Sequence, residues 1–139
     1  MKVKDAMHAG TEWLPPSTSL VEIAKRMRDK DIGCVPIGDS DRLVGMVTDR
    51  DIACRAVASG GDIGKLTARD VMTKTIIYCR ESEELSDAVR IMQQKQVRRL
   101  PVINDQKRLV GMLSLGDLSH SLPRDKTGDV MAAVSAHHA

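Results

Sequence analysis

Apolar and polar positions follow the same order of periods twice along this chain. Leu20, Ile23, Ala24 and Met27 fall at i, i+3, i+4 and i+7, and Leu85, Ala88, Val89 and Met92 repeat that spacing. One apolar stripe at the 3.6-residue period predicts an amphipathic helix in each half. Beyond each helix lie two short runs rich in Val, Ile and Leu, at 34–37 and 43–48, then at 99–103 and 109–114. They predict strand pairs, and the polar stretches between them, GDSD and NDQK, read as hairpin turns. A helix over 50–58 and a shorter one over 116–120 follow the strands. Ahead of each amphipathic helix, the pattern predicts a short helical turn ending at Met7 or Met72, then an extended segment around 12–14 or 76–79.

The two halves align residue by residue. KDAM (4–7) lies over RDVM (69–72), Trp13 over Tyr78, and VPI (35–37) over LPV (100–102). One extra residue in the second copy then brings RLVGM (42–46) over RLVGM (108–112). A repeat of about 60 residues buries too little surface to stand alone, whereas two stacked sheet against sheet can share a core. The expected organisation is repeat 1 over 1–60, a linker over 61–67 opened by Gly60-Gly61, repeat 2 over 68–122, and a connector over 123–139 with a short helix at 129–135. Ser19 and Glu22 form an S-x-x-E capping signature at the first amphipathic helix; Glu84 and Asp87 stand there in the second, a weaker cap that still suits the helix dipole.

Composition narrows the class. The chain has 139 residues, 42% hydrophobic and 29% charged, with 21 basic against 19 acidic side chains. So even a balance lacks the clustered cations of a nucleic-acid binder. No apolar run reaches the ~20 residues that span a bilayer, and MKVKDAMHAG has no signal-peptide core, so the expectation is a cytoplasmic protein without a membrane partner. Cys34, Cys54 and Cys79 lack zinc-site or CxxC spacing. The eight methionines fall largely on apolar faces as core filler, and His8, His120, His137 and His138 show no ligand spacing with one another, leaving only adventitious metal binding for the terminal pair. No nucleophile–base pair, Gly-rich phosphate loop or metal cluster emerges, so an enzyme is not expected.

The twin AM and VM openings, the LVEIAKRM and LSDAVRIM helices, the CVPI and RRLPVI strands, and GMVTDRD with GMLSLGD recur in order through both halves. Together they resemble the cystathionine-β-synthase (CBS) domain pair, or Bateman module, in its stand-alone form. The resemblance implies an α/β (α+β) fold of two β-α-β-β-α repeats packed about a pseudo-two-fold axis. It further implies a homodimer, no required cofactor, and clefts between repeats that bind an adenine nucleotide or related ligand: AMP, ADP, ATP, S-adenosylmethionine or NAD.

The T/S-x-x-D step after each RLVGM has a chemical rationale for such ligands. A carboxylate accepts from two neighbouring ribose hydroxyls at once. The preceding hydroxyl and the free amides of a first helical turn favour a phosphate. The resemblance gives these roles to Thr48 and Asp51, and to Ser114 and Asp117. The same spacing is also a capping box that needs no ligand. Arg98 and Arg99 offer planar forks suited to phosphate oxygens, where the first repeat has Gly33 and Cys34. Family geometry implies one site of Thr48, Asp51, Ile76, Ile77, Val97, Arg98, Arg99 and Pro101, and a second of Ser114, Asp117, Thr11, Glu12, Gly33, Cys34 and Pro36. The leading reading is a small-molecule-sensing regulatory module that acts on a protein partner the sequence does not name. Two alternatives stand beside it: a ligand-free homodimeric scaffold, and a redox or stress sensor working through Cys34 and Cys79.

Overall fold

The computed structural model describes residues 1–74 and 76–136. It comprises two compact units, Trp13–Ile76 and a second made of Met1–Glu12 with Ile77–Ala139. The terminal histidines 137 and 138 lie outside the described residues.

The chain opens with α1 (Val3–Ala6) and β1 (His8–Ala9), both in the second unit. The amphipathic stripe of the first unit forms α2 (Leu20–Lys30), which buries Leu20, Ile23 and Met27. Ser19 Oγ accepts from the Glu22 amide at its start, and its last turn closes on Asp31 in the left-handed region, φ 53°. Then come β2 (Cys34–Asp39) and β3 (Arg42–Thr48), antiparallel, with Cys34 opposite Thr48. The helix expected over 50–58 is composite. A single turn, α3 (Asp49–Asp51), runs into the π-helix Ile52–Val57, where the Ala58 amide reaches the Ala53 carbonyl five residues back at 3.0 Å. After the 3₁₀ turn Ile63–Lys65, α4 (Ala68–Val71) completes the unit. Its core gathers Leu20, Ile23, Val35, Ile37, Val47 and Val71.

The second unit repeats this plan with β4 (Cys79–Arg80), α5 (Leu85–Lys95), β5 (Arg99–Ile103), β6 (Leu109–Ser114) and α6 (Leu115–Ser121). Its strands order as β1-β6-β5-β4. Single bridges give the first unit the same order, because Thr73 pairs with Met46 of β3 and Leu14 pairs with Ile37 of β2. A final helix, α7 (Arg124–Val134), begins five residues before the expected 129. Its Val130 and Val134 join the core of Val3, Met92, Leu100 and Leu118. Arg124–Gly128 carries no apolar stripe, so docking rather than local pattern extends this helix.

The compact units do not follow the repeats in sequence: each takes its opening segment from the other repeat. The Leu85 amide donates to the Met1 carbonyl at 2.8 Å, and the Leu20 amide to the Leu66 carbonyl at 3.0 Å. These are equivalent bonds, made by residues 1 and 66 in the two copies. They satisfy an amide at each helix start that has no intrahelical partner. Glu84 does not cap α5 with its side chain, but pairs with Lys2 Nζ at 2.6 Å. That pairing raises the ammonium's pKa and lowers the carboxyl's, both through their mutual hydrogen bond.

The exchange also explains the glycine repeated in RLVGM. A Cβ on Gly111 would collide with the His8 carbonyl oxygen of β1, and one on Gly45 would meet Met72 Sδ at 2.6 Å. Each glycine gives the incoming segment room to pair with the strand. Gly38 plays a similar part for Trp13, whose indole ring lies where its Cβ would be.

Candidate functional site

In the first unit, the step from β3 into α3 places Thr48 and Asp51 in a reciprocal capping box. The Asp51 amide donates to Thr48 Oγ1 at 3.1 Å, and the Thr48 amide donates to Asp51 Oδ2 at 2.9 Å. The other carboxylate oxygen, Oδ1, faces Arg55 Nε at 3.8 Å, beyond hydrogen-bond range. The Asp51 side chain is 13% exposed. It is shielded, held at one oxygen, and open to a donor at the other. Arg55 is itself anchored: Nη1 donates to the carbonyls of Val71 and Met72 at 3.2 and 3.4 Å.

The amides expected to receive a phosphate here are engaged within the protein. Asp49 N–H donates to the Gly33 carbonyl at 3.0 Å, Arg50 N–H to Asp49 Oδ1 at 2.8 Å, and Asp51 N–H to Thr48 Oγ1. The turn therefore presents a carboxylate rather than an anion cradle.

The second unit builds the same box at Ser114 and Asp117. Asp117 N–H donates to Ser114 Oγ at 3.2 Å, and Asp117 Oδ2 accepts from the Ser114 amide at 2.9 Å. Here Oδ1 is occupied as well. The imidazole of His8, carried in by β1, lies with Nδ1 at 2.7 Å from it. The carboxylate is only 7% exposed and the His8 side chain 83%. An ionised carboxylate only accepts, so Nδ1 carries the proton in this bond. Histidine spacing carried no sign of this pairing, because the partners are 109 residues apart. A sign existed in the repeat alignment, which places His8 over Thr73, the residue paired with β3. Arg55 was equally unmarked, although its i+4 spacing from Asp51 on a helix puts the two side chains on one face.

Strand register sets Arg99 opposite Ser114, and the Leu115 amide donates to the Arg98 carbonyl at 3.0 Å. Both arginine side chains are exposed, and among the described residues neither pairs with a carboxylate. The corresponding place in the first unit holds half-buried Gly33 and buried Cys34, next to Thr48. Each of the two residue sets implied by the sequence draws on both units. The first unit contains Thr48, Asp51, Ile76, Gly33, Cys34 and Pro36. The second contains Ser114, Asp117, Thr11, Glu12, Arg98 and Arg99, together with half-buried Ile77 and Val97 and buried Pro101.

The sequence model of the CBS domain matches residues 3–56 and again 68–124. The chain belongs to the CBS domain family. This CBS pair is 39% identical over 121 residues to hypoxic response protein 1 of Mycobacterium tuberculosis, covering 86% of this chain and 84% of that one. It is 35% identical over 134 residues to the CBS domain-containing protein YhcV of Bacillus subtilis, covering 96% and 94%. Among solved structures, hypoxic response protein I with two coordinated zinc ions superposes with a TM-score of 0.78 at 38% identity, over 88% of this chain and all of that one. The CBS pair of protein MJ0100 in complex with 5′-methylthioadenosine and S-adenosyl-L-methionine gives 0.77 at 30% identity, over 87% and 94%. CBSX2 in complex with AMP gives 0.73 at 27% identity, over 86% and 94%.

Among the described residues of this CBS pair, no three His, Cys, Asp or Glu side chains group as a metal site requires, and no helix is long and apolar enough to cross a membrane. The cysteines differ sharply. Cys79 is 1% exposed, and burial, with a smaller contribution from the Glu83 charge, pushes its thiol from the ordinary 9.0 up to about 12. Thiolate chemistry at neutral pH is thereby suppressed, which opposes the redox reading. Cys54 is exposed on the π-helix. At pH 8, a thiol reagent should label Cys54 rapidly and Cys79 only after denaturation, as peptide mapping by mass spectrometry will show. Because its folded pKa is raised, Cys79 contributes stability fully below pH 9.0, and that contribution is lost as pH climbs toward about 12.

Proposed function

We propose that this CBS pair is a regulatory module that senses an adenosine-type ligand and holds its ribose at Asp51. The observation that carries the reading is the asymmetry of that carboxylate: Oδ2 fixed by the Thr48 amide, Oδ1 without a hydrogen bond, the whole group mostly shielded from water. Such an acceptor, fixed in advance, suits a ribose hydroxyl pair, and shielding strengthens the charge-assisted bonds it makes. The AMP complex of CBSX2 and the S-adenosylmethionine and methylthioadenosine complexes of MJ0100 support the ligand class. The exposed Arg98 and Arg99 are the proposed phosphate contacts, and the remaining residues named from the sequence are proposed to line the ligand sites.

The module requires no cofactor in this reading and catalyses no reaction. It works as a cytoplasmic homodimer, away from nucleic acid and membrane, and its signal is read by a separate protein. Ligand binding signals only if one arrangement of the chain binds more tightly than another.

Thermal melts with AMP, ADP, ATP, S-adenosylmethionine, 5′-methylthioadenosine and NAD test the class. A ligand at a hundred times its Kd stabilises by about 2.7 kcal/mol and raises the melting temperature visibly. At least one of the six should do so at millimolar concentration. No shift with any of them would overturn the sensing role and leave the scaffold reading.

A further inference from the structure

We infer that His8 closes the Asp117 site, so that only one of the two repeated aspartates is open to ligand. The inference rests on the proposed ribose role of these aspartates and concerns what decides between them. The two capping boxes share their reciprocal amide bonds, and the backbone of the exchanged segment matches too. His8 pairs with Met112 of β6, just as Thr73 pairs with Met46 of β3. The side chain at that position differs, histidine in one unit and threonine in the other.

His8 Nδ1 lies 2.7 Å from Asp117 Oδ1, while Ser114 holds Oδ2 through both its amide and its hydroxyl, at 2.9 and 3.0 Å. Both oxygens therefore already accept hydrogen bonds, and the carboxylate is 7% exposed while the imidazole on its Oδ1 faces solvent. A ribose hydroxyl approaching Oδ1 competes there with the ring's 2.7 Å contact. Thr73, the equivalent residue, makes its hydrogen bonds to β3 through its backbone, with Met46, and Asp51 Oδ1 accepts no hydrogen bond, facing Arg55 Nε at 3.8 Å. His8 thus imposes site selectivity from outside the T/S-x-x-D motif.

The variant His8→Thr copies the first unit's residue into the second. Its exposed position makes it compatible with the fold. Titrating AMP and 5′-methylthioadenosine calorimetrically into wild type should give about one site per chain, and into His8→Thr about two. Adding Asp117→Asn to His8→Thr should remove the gained site, while the amide oxygen still accepts at the cap. A wild type with two sites, or a His8→Thr protein with no gained site, overturns the inference while leaving ribose binding at Asp51 intact. Absence of binding by every variant overturns both. An arm without ligand separates the two readings further. At alkaline pH, imidazole ¹⁵N NMR should show a neutral Nδ1–H tautomer of His8 in wild type, lost in Asp117→Ala; a neutral Nε2–H tautomer in wild type ends the inference whatever the ligand does.

Discussion

Replacing Asp51 by alanine should weaken AMP, or another adenosine-type ligand that this CBS pair binds, by about a hundredfold or more, because two ribose bonds are lost. Charge-assisted hydrogen bonds contribute roughly 1.5–3 kcal/mol each, and about 1.4 kcal/mol is a factor of ten in affinity. The substitution also deletes half of a capping box, so stability must be measured beside affinity. Two further variants separate the roles. Thr48→Ala removes the hydroxyl that accepts from the Asp51 amide and should cost about 1 kcal/mol of stability, while the carboxylate remains. Asp51→Asn keeps an oxygen for the Thr48 amide but loses the charge, so it should bind weakly and melt close to wild type. Calorimetric titration and urea denaturation of the three variants supply both quantities. Wild-type affinity in Asp51→Ala would reduce Asp51 to a helix cap.

Gly111→Ala should destabilise the fold by about 1–3 kcal/mol, the usual cost of forcing extra volume into a packed region. The added methyl meets the His8 carbonyl, which is backbone tied into the β1–β6 pairing, and Met7 Sδ at 3.1 Å. That backbone carbonyl does not yield cheaply. Gly45→Ala is the internal control. Its nearest obstacle is the thioether of Met72, which turns aside by rotation, although the Thr73 carbonyl at 3.2 Å limits the relief. Urea melts should therefore rank Gly111→Ala below Gly45→Ala, and both below wild type. The reverse order would contradict the role assigned to the exchanged opening segment.

Much of this architecture was legible in the sequence because the apolar stripes and the RLVGM repeat are local patterns. Helices α2 and α5 carry the stripes as predicted, and the strands lie where the runs rich in Val, Ile and Leu put them. The exchange of opening segments was not legible. KDAM and RDVM match equally well as neighbours of either repeat, and only long-range bonds such as Leu85 N–H to the Met1 carbonyl choose between them. The π-helix at Ile52–Val57 escaped for a similar reason, since Ile52 and Ala56 satisfy an α-helical stripe just as well. At the candidate site, T/S-x-x-D announced the two carboxylates and their caps. It could not say what else reaches them. Arg55 comes from the same helix, whereas His8 comes from the far end of the chain, so the chemical difference between Asp51 and Asp117 is a tertiary property.

The claim that Asp51 holds a ribose is tested most directly by comparing AMP with 2′-deoxy-AMP in calorimetric titrations of the wild-type protein. The two ligands share base and phosphate and differ by one hydroxyl. If the carboxylate accepts from both ribose hydroxyls, the deoxy ligand should bind about tenfold or more weakly, in line with the loss of one charge-assisted bond. Equal affinity for the two would contradict the account, since it would place the ribose away from any carboxylate that reads it.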